Sequence, residues 1–481
     1  MKVKKYGIYL AVCMLCCNAA VALAEDIFVK ADTDFLPKYM QEKYESIRAN
    51  TISFLNKQRF PKTGLVESFR GSSKYCYLAH NEQFSPMKNG YLDNQCFVYD
   101  QAVCVMAYLI CGERDKAKRI LEEMEKEFHR EKNWKIGLYT SYRGDAYAPE
   151  GTLLMGIDGD RIHVGPNMWI AIACLHYLQN TGNNRFLGFT IDLAKWAAEL
   201  NHYKFSDGEK GGVCMGSGWG PDWTNIYSTE NCIDYYAVLN MLFNIYMQAD
   251  NKVKKLFENK NFTDKEINKE LSCLKRWFRE VAYNKETGGL NGGYAEDEID
   301  PTKAIDVVSD SIMAIGPKIL KSWGIDPSRL IEFAEEHLLI SDRVSEIKVD
   351  GFDFTVPEEL NNPRQRLIWI EGTAQMIVAY KIMSRYYEDL GLDHKAGEYR
   401  SKAIKYIIEL DKLSVLVKLP AFTLPYTSAN PKDKERFLSF KEEWEIPRGS
   451  EGRWVECAAS TAWRLLTLID FNPMKISSSK L

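Results

Sequence analysis

Histidine is scarce in this chain, with 7 in 481 residues, and blocks of basic residues are missing altogether. With 62 Lys+Arg against 66 Asp+Glu, the formal net charge is −4. Nothing here offers a nucleic acid the clustered positive face that binding it requires. Beyond residue 24 there is no CxxC pair and no cysteine/histidine cluster at zinc spacing. No glycine-rich nucleotide loop follows a strand pattern, so no redox cofactor is implied. Nor does any later stretch approach the ~20 consecutive apolar residues that span a bilayer.

The N-terminus is a different matter. Lys2, Lys4 and Lys5 precede an apolar run over residues 9–21, and Ala22-Leu23-Ala24 follows. A charged start, an apolar middle and an A-x-A end predict a cleaved signal peptide, residues 1–24, and an exported protein, periplasmic or secreted. Cys16 and Cys17 raise lipid anchoring as the alternative, but Met14-Leu15 before them lacks the usual small residue. Residues 25–481 could hold two or three domains, or one repeat-built domain, and are read as one. Nine cysteines lie in them, an odd number that leaves at least one thiol unpaired within the chain. Export permits disulfides; Cys76 and Cys96, both in loop-like sequence, are the pair to test.

Helix signals dominate what remains, and they come in pairs. Apolar segments at residues 98–111, 166–179, 228–248, 304–319, 367–390 and 455–468 alternate with amphipathic, charge-rich ones. The latter fall at 34–57, 115–130, 186–202, 264–283, 327–339 and 394–410. A helix apolar all round is buried, and one with a charged face lies outside. Six inner and six outer helices in alternation predict an all-α toroid of helical hairpins, an (α/α)6 barrel, with long loops at its mouth. An α-solenoid would have shorter connections and a fixed sequence period, which is not visible.

In such a barrel the inner helices run parallel and their N-termini gather at one end. Carboxylates stand near those starts: Asp100, Asp158 and Asp160 ahead of 166–179, Glu230 and Asp234, then Asp300, Asp306 and Asp310, Glu371, and Glu456. Helix capping explains one acid at a start; it does not explain Asp100 or Glu371 in apolar surroundings. Glu230 and Asp234 lie one turn apart and share a face. A glycine- and tryptophan-rich loop at 211–225 precedes them and carries Trp219 and Trp223, too polar a setting for an interior. Acids that crowd one another raise each other's pKa, and sugar cleavage needs one protonated carboxyl and one carboxylate. Glu230 is the candidate proton donor, with Glu371 and Asp100 as candidate bases. Tyr99, Asp158, His163, Asn167, Trp169, Trp219, Trp223, Asn231, Asp234, Trp369, Gln375 and Trp454 are candidates for holding an oligo- or polysaccharide. Asp158 and Asp160 could contribute to a calcium site, but the turn lacks the rest of an EF-hand loop and no metal is assigned.

The elements YDQA at 99–102, HVGPNMW at 163–169, STENCID at 228–234, IEGTAQM at 370–376 and ASTAWRLL at 459–466 with Asn472-Pro473 resemble the six-hairpin glycosidase-like superfamily. The resemblance runs from Asp93 to Pro473 and is similar in particular to exported bacterial members. It implies the toroid fold and a carbohydrate substrate. It does not select a reaction, since this fold serves glycosidases, phosphorylases, polysaccharide lyases and epimerases alike. Only His163 stands at an inner-helix start, which disfavours a two-histidine epimerase. A lyase using Tyr99 or Tyr142 with His163 and Arg161 stays open, as does a glycan-binding protein without turnover. Glycoside hydrolysis by carboxylates is the reading adopted.

Overall fold

The computed structural model describes residues 33–70, 92–130, 137–156, 161–218, 223–356, 366–429 and 454–477. The signal-peptide segment, Cys76 of the suggested disulfide, and Asp158, Asp160 and Trp219 lie outside the described residues. Fourteen α-helices are described: α1 (Lys38–Gln58), α2 (Val98–Ile110), α3 (Arg114–Arg130), α4 (Val164–Thr181), α5 (Leu187–Glu199), α6 (Thr229–Gln248), α7 (Asn251–Asn259), α8 (Asp264–Trp277), α9 (Ile305–Ala314), α10 (Pro317–Ser322), α11 (Pro327–His337), α12 (Ile370–Asp389), α13 (Asp393–Leu416) and α14 (Ala458–Thr467).

The expected twelve are all present. The short α7 and α10, of nine and six residues, are additions. Helices α2, α4, α6, α9, α12 and α14 form the inner ring: each packs on the next, and α14 returns to pack on α2. The outer helices seat against them, α3 between α2 and α4, α5 between α4 and α6, α8 on α6, α11 on α9 and α13 on α12, while α1 covers α14 and α2. This is the (α/α)6 toroid.

Sequence pattern decides which helix goes where. In α2 every residue but Tyr99 is buried, so no face is left for water. Helix α3 buries Ala117, Ile120, Leu121 and Met124, spaced by three and four, together with Glu123 and Glu127, and leaves its other charged residues less buried. Local signals set the ends. Thr263 and Glu266 make a capping box that starts α8, and Gly182 takes a left-handed conformation (φ 66°) that stops α4. Trp169, Trp277, Trp463 and Tyr235 are among the largest fully buried side chains. No helix among the described residues is long and apolar enough to cross a membrane.

One regularity was not anticipated. Every inner helix is entered from an extended residue held in a strand or bridge. Phe97, His163, Ser228 and Cys457 each end a short strand, and Ala304 and Trp369 are bridged to Thr355 and Thr427. All six of these residues are N-caps with extended backbone, and Ser228 alone among them caps with its side chain. Pairing of the entry residues fixes the rotational phase of each helix as it enters the ring. Positions counted from the cap are therefore comparable from one helix to the next.

Candidate active site

The second residues of the six inner helices are Tyr99, Gly165, Glu230, Asp306, Glu371 and Ala459. The sixth residues, one turn deeper on the same face, are Val103, Trp169, Asp234, Asp310, Gln375 and Trp463. Side-chain contacts show that these two sets converge on the axis. Tyr99 reaches across the face of α14 and donates its hydroxyl to Glu371 Oε1 at 2.5 Å. Trp463 Nε1 donates to the same Tyr99 oxygen at 2.8 Å. The Trp169 ring packs edge-on to Tyr99 (centroids 5.0 Å apart) and to Trp463 (6.0 Å).

Three consecutive inner helices, α6, α9 and α12, thus bring Glu230, Asp306 and Glu371 together. Asp234 and Asp310 lie a turn beneath the first two. Burial outweighs everything else here. Glu371 is pushed up to about 8 by loss of solvent, with Asp100 and Asp306 adding to the rise and the Tyr99 hydroxyl opposing it. Asp306 is raised to about 7 by burial, against the pull of the Val307 N–H it accepts at 2.8 Å. Burial, then Asp306 and Glu371, hold Glu230 well above the carboxylate range, and no hydrogen bond to a described residue opposes them. Asp310 and Asp234 are likewise raised, by burial first and by their acidic neighbours second. The positive ends of three helices point at these acids without reversing the effect. Glu230 differs from the others in one respect: it is half-buried, whereas Asp306, Glu371, Asp234 and Asp310 are buried.

The remaining candidates divide. Tyr99 and His163 are half-buried at the mouth, and His163 Nε2 has no hydrogen-bond partner among the described residues. Burial and Arg161 lower the His163 pKa to about 4, so it is neutral near pH 7. Asp100 stands one position past the axial one, near enough for its charge to raise Glu371. It is buried, receives a hydrogen bond from Ser68, and lies near Cys104 and Cys457. Gln375 is buried beside Ser309. Asn231 Oδ1 accepts the Gly165 N–H, tying the start of α6 to that of α4. A Cβ on Gly165 would stand 2.4 Å from that same oxygen and 3.0 Å from Asp234 Oδ2, so glycine is what lets the two helix starts approach.

Asn167 is fully buried and bonded to backbone throughout. It accepts from Leu138 N–H (2.8 Å) and donates to the Leu138 and His163 carbonyls (3.0 and 2.8 Å). It therefore braces the entry to α4 instead of facing a sugar. Asn167→Ala is expected to cost about 1–3 kcal/mol, read as a lower denaturant midpoint, because it strands buried polar groups.

Several aromatic expectations need correction. Trp223 is buried, not a stacking platform in a polar loop: its ring meets the edge of His163 (centroids 4.8 Å apart) and lies under the Arg161 guanidinium. The strand Arg161–His163, which carries the His163 ring against Trp223, pairs with Gly216–Gly218. Trp169 and Trp369 are buried too, Trp369 against Phe354 and Tyr426; Trp454 is half-buried. Nor does every inner helix aim an acid at the axis, since Glu456 precedes α14 and accepts from Thr423 at 3.0 Å. Asp306, Asp310 and Trp463 were not singled out as site residues. The signal for the two acids was present, because Asp306 and Asp310 repeat the spacing of Glu230 and Asp234 one hairpin later. Among the described residues no group of three or more ligating side chains is arranged to hold a metal ion.

The fold is that of the six-hairpin glycosidase-like (α/α)6 structures. A glycosidase variant with a glutamate changed to alanine superposes with a TM-score of 0.56 at 8% identity, covering 90% of this chain and 98% of that one. The cellobiose 2-epimerase of Bacillus thermoamylovorans B4167 gives 0.53 at 12% identity, covering 88% and 98%. An aspartate-to-asparagine variant of UGL with dGlcA-Glc-Rha-Glc gives 0.51 at 10% identity, covering 89% and 94%. No protein-family model and no curated protein matches the chain by sequence. At such identities the likeness establishes architecture and leaves the chemistry to the residues.

Proposed function

We propose that this chain is an exported carbohydrate-active enzyme, a glycoside hydrolase that cleaves an oligo- or polysaccharide by carboxylate acid/base catalysis. The observation that carries the reading is the meeting of Glu230, Asp306 and Glu371 at three neighbouring inner-helix starts, where burial raises all three and Glu230 is the least buried residue of the three. Burial raises Asp306 to about 7 and Glu371 to about 8, and burial with both of these neighbours raises Glu230. Crowded acids of this kind do not all ionise together, and so supply both a proton donor and an anionic partner. Glu230 protonates the leaving oxygen, and Glu371, held by Tyr99, is the partner in its ionised form.

The lyase alternative loses support from the same geometry. A lyase base at Tyr99 would have to give up its proton, but burial and Glu371 drive that pKa well up and the proton is engaged with Glu371. Support for the carbohydrate substrate comes from the acid-and-aromatic mouth together with the known occupants of this fold.

Product analysis of the secreted protein on a panel of polysaccharides tests the proposal. New reducing ends without ultraviolet absorbance are the expected result. An absorbing, unsaturated product would make the protein a lyase, and binding without any product would make it a glycan-binding protein.

A further inference from the structure

We propose that Trp463, acting through Tyr99, fixes Glu371 as the hydrogen-bond acceptor of the axial acids and so leaves the donor role to Glu230. The inference rests on the hydrolase reading for the name of the roles, but its core is a statement about hydrogen-bond direction. An indole N–H can only donate. With Trp463 Nε1 2.8 Å from it, the Tyr99 oxygen is an acceptor on that side. Its own proton is then left for Glu371 Oε1, 2.5 Å away, within the short range typical of a hydroxyl bonded to a carboxylate. The chain of donors runs one way, from Trp463 to Tyr99 to Glu371.

The packing holds the Trp463 and Tyr99 rings in place. Trp463 is fully buried, and its ring and that of Tyr99 are both held edge-on by Trp169, at 72° and 79°. Ala459, one turn above Trp463 on the same face of α14, is small enough for Tyr99 to cross from α2 towards α12. Trp463 is out of reach of any substrate and is a positioning residue, not a catalytic one. The groups that face Glu371 are Tyr99 and Asp100 from α2, Asp306 and Asp310 from α9, Glu230 from α6, and the Cys457 thiol ahead of α14. All are acids or neutral donors, so the Tyr99 hydroxyl is the group in this set that favours the ionised form of Glu371.

The test uses the full mature chain and Trp463→Phe, which keeps an aromatic ring and deletes the donor. Infrared titration of carboxyl-labelled glutamate, with Glu371→Gln subtracted to identify the band, reads the Glu371 midpoint whether or not a substrate has been found. The expected result is an upward shift of roughly half to one pH unit in Trp463→Phe, and a larger one in Tyr99→Phe. On a cleaved substrate, the acidic limb of kcat/KM should move up by the same amount with KM changed less than about twofold. An unmoved midpoint in Trp463→Phe overturns the proposal, even if Tyr99→Phe shifts. If Trp463→Phe fails to fold, benzothienylalanine at position 463 keeps the indole shape without the N–H and decides the matter by the same midpoint. Absence of any cleavage by the parent protein would count against the hydrolase reading alone, because the infrared result stands without it.

Discussion

A Glu230→Gln protein is expected to fold like the parent and to lose roughly 100- to 10,000-fold in kcat/KM on any glycoside the parent cleaves. Folding should be spared for a local reason. Glu230 is half-buried and carries no hydrogen bond to a described residue that the amide would break. The amide also removes a charge-bearing group from a crowded acidic cluster. Activity should suffer because glutamine has the shape of the acid without its transferable proton. A substrate with a leaving group that departs unprotonated, such as a dinitrophenyl glycoside, should recover most of the loss. Equal loss on both kinds of substrate would mean that Glu230 does not protonate the leaving oxygen. Activity within about threefold of the parent would remove it from the mechanism.

The second large effect concerns stability against pH. Asp306, Asp100 and Glu371 are buried, and burial lifts them from 3.8, 3.8 and 4.5 to about 7, 7 and 8. Between those limits the folded chain binds more protons than the unfolded chain. Stability then falls as pH rises, since its slope follows the protons bound unfolded minus those bound folded. The full benefit is present below about pH 4 and is gone above about pH 8. For Asp306 alone the ceiling is roughly 4 kcal/mol, at about 1.4 kcal/mol per unit. Thermal unfolding should therefore show a midpoint several degrees higher near pH 5 than near pH 8. Asp306→Asn should flatten that slope and stabilise the protein near pH 8, because an amide has no charged form to bury. A midpoint that climbs from about pH 5 to pH 8 would contradict the burial of these acids.

Much of this was legible without coordinates. The alternation of apolar and charged helices predicts the toroid, because a helix with no polar face can be satisfied only inside a ring of others. The i, i+4 spacing of Glu230 and Asp234 places them on one face, and Glu371 stood out as an acid in an apolar segment. The sequence also yields the opposite kind of result. Asp100 looked as good as Glu371 by the same test, yet it is one residue past the axial position and bonds Ser68. A single step rotates a side chain by 100° around a helix, and only the entry residue's pairing sets where that rotation begins.

What the sequence determined alone is therefore the number of hairpins, their alternation, and which segments carry acids. Those depend on composition and period, which are properties of each segment by itself. What the tertiary structure decided is which acids meet. Tyr99 and Glu371 are 272 residues apart, and Trp463 is 364 from Tyr99, yet one hydroxyl joins all three. Trp223 was assigned to solvent from its polar neighbours, and the ring of His163 and the Arg161 guanidinium buried it instead. Contacts of that kind form only when the last inner helix closes against the first, so no local pattern can encode them.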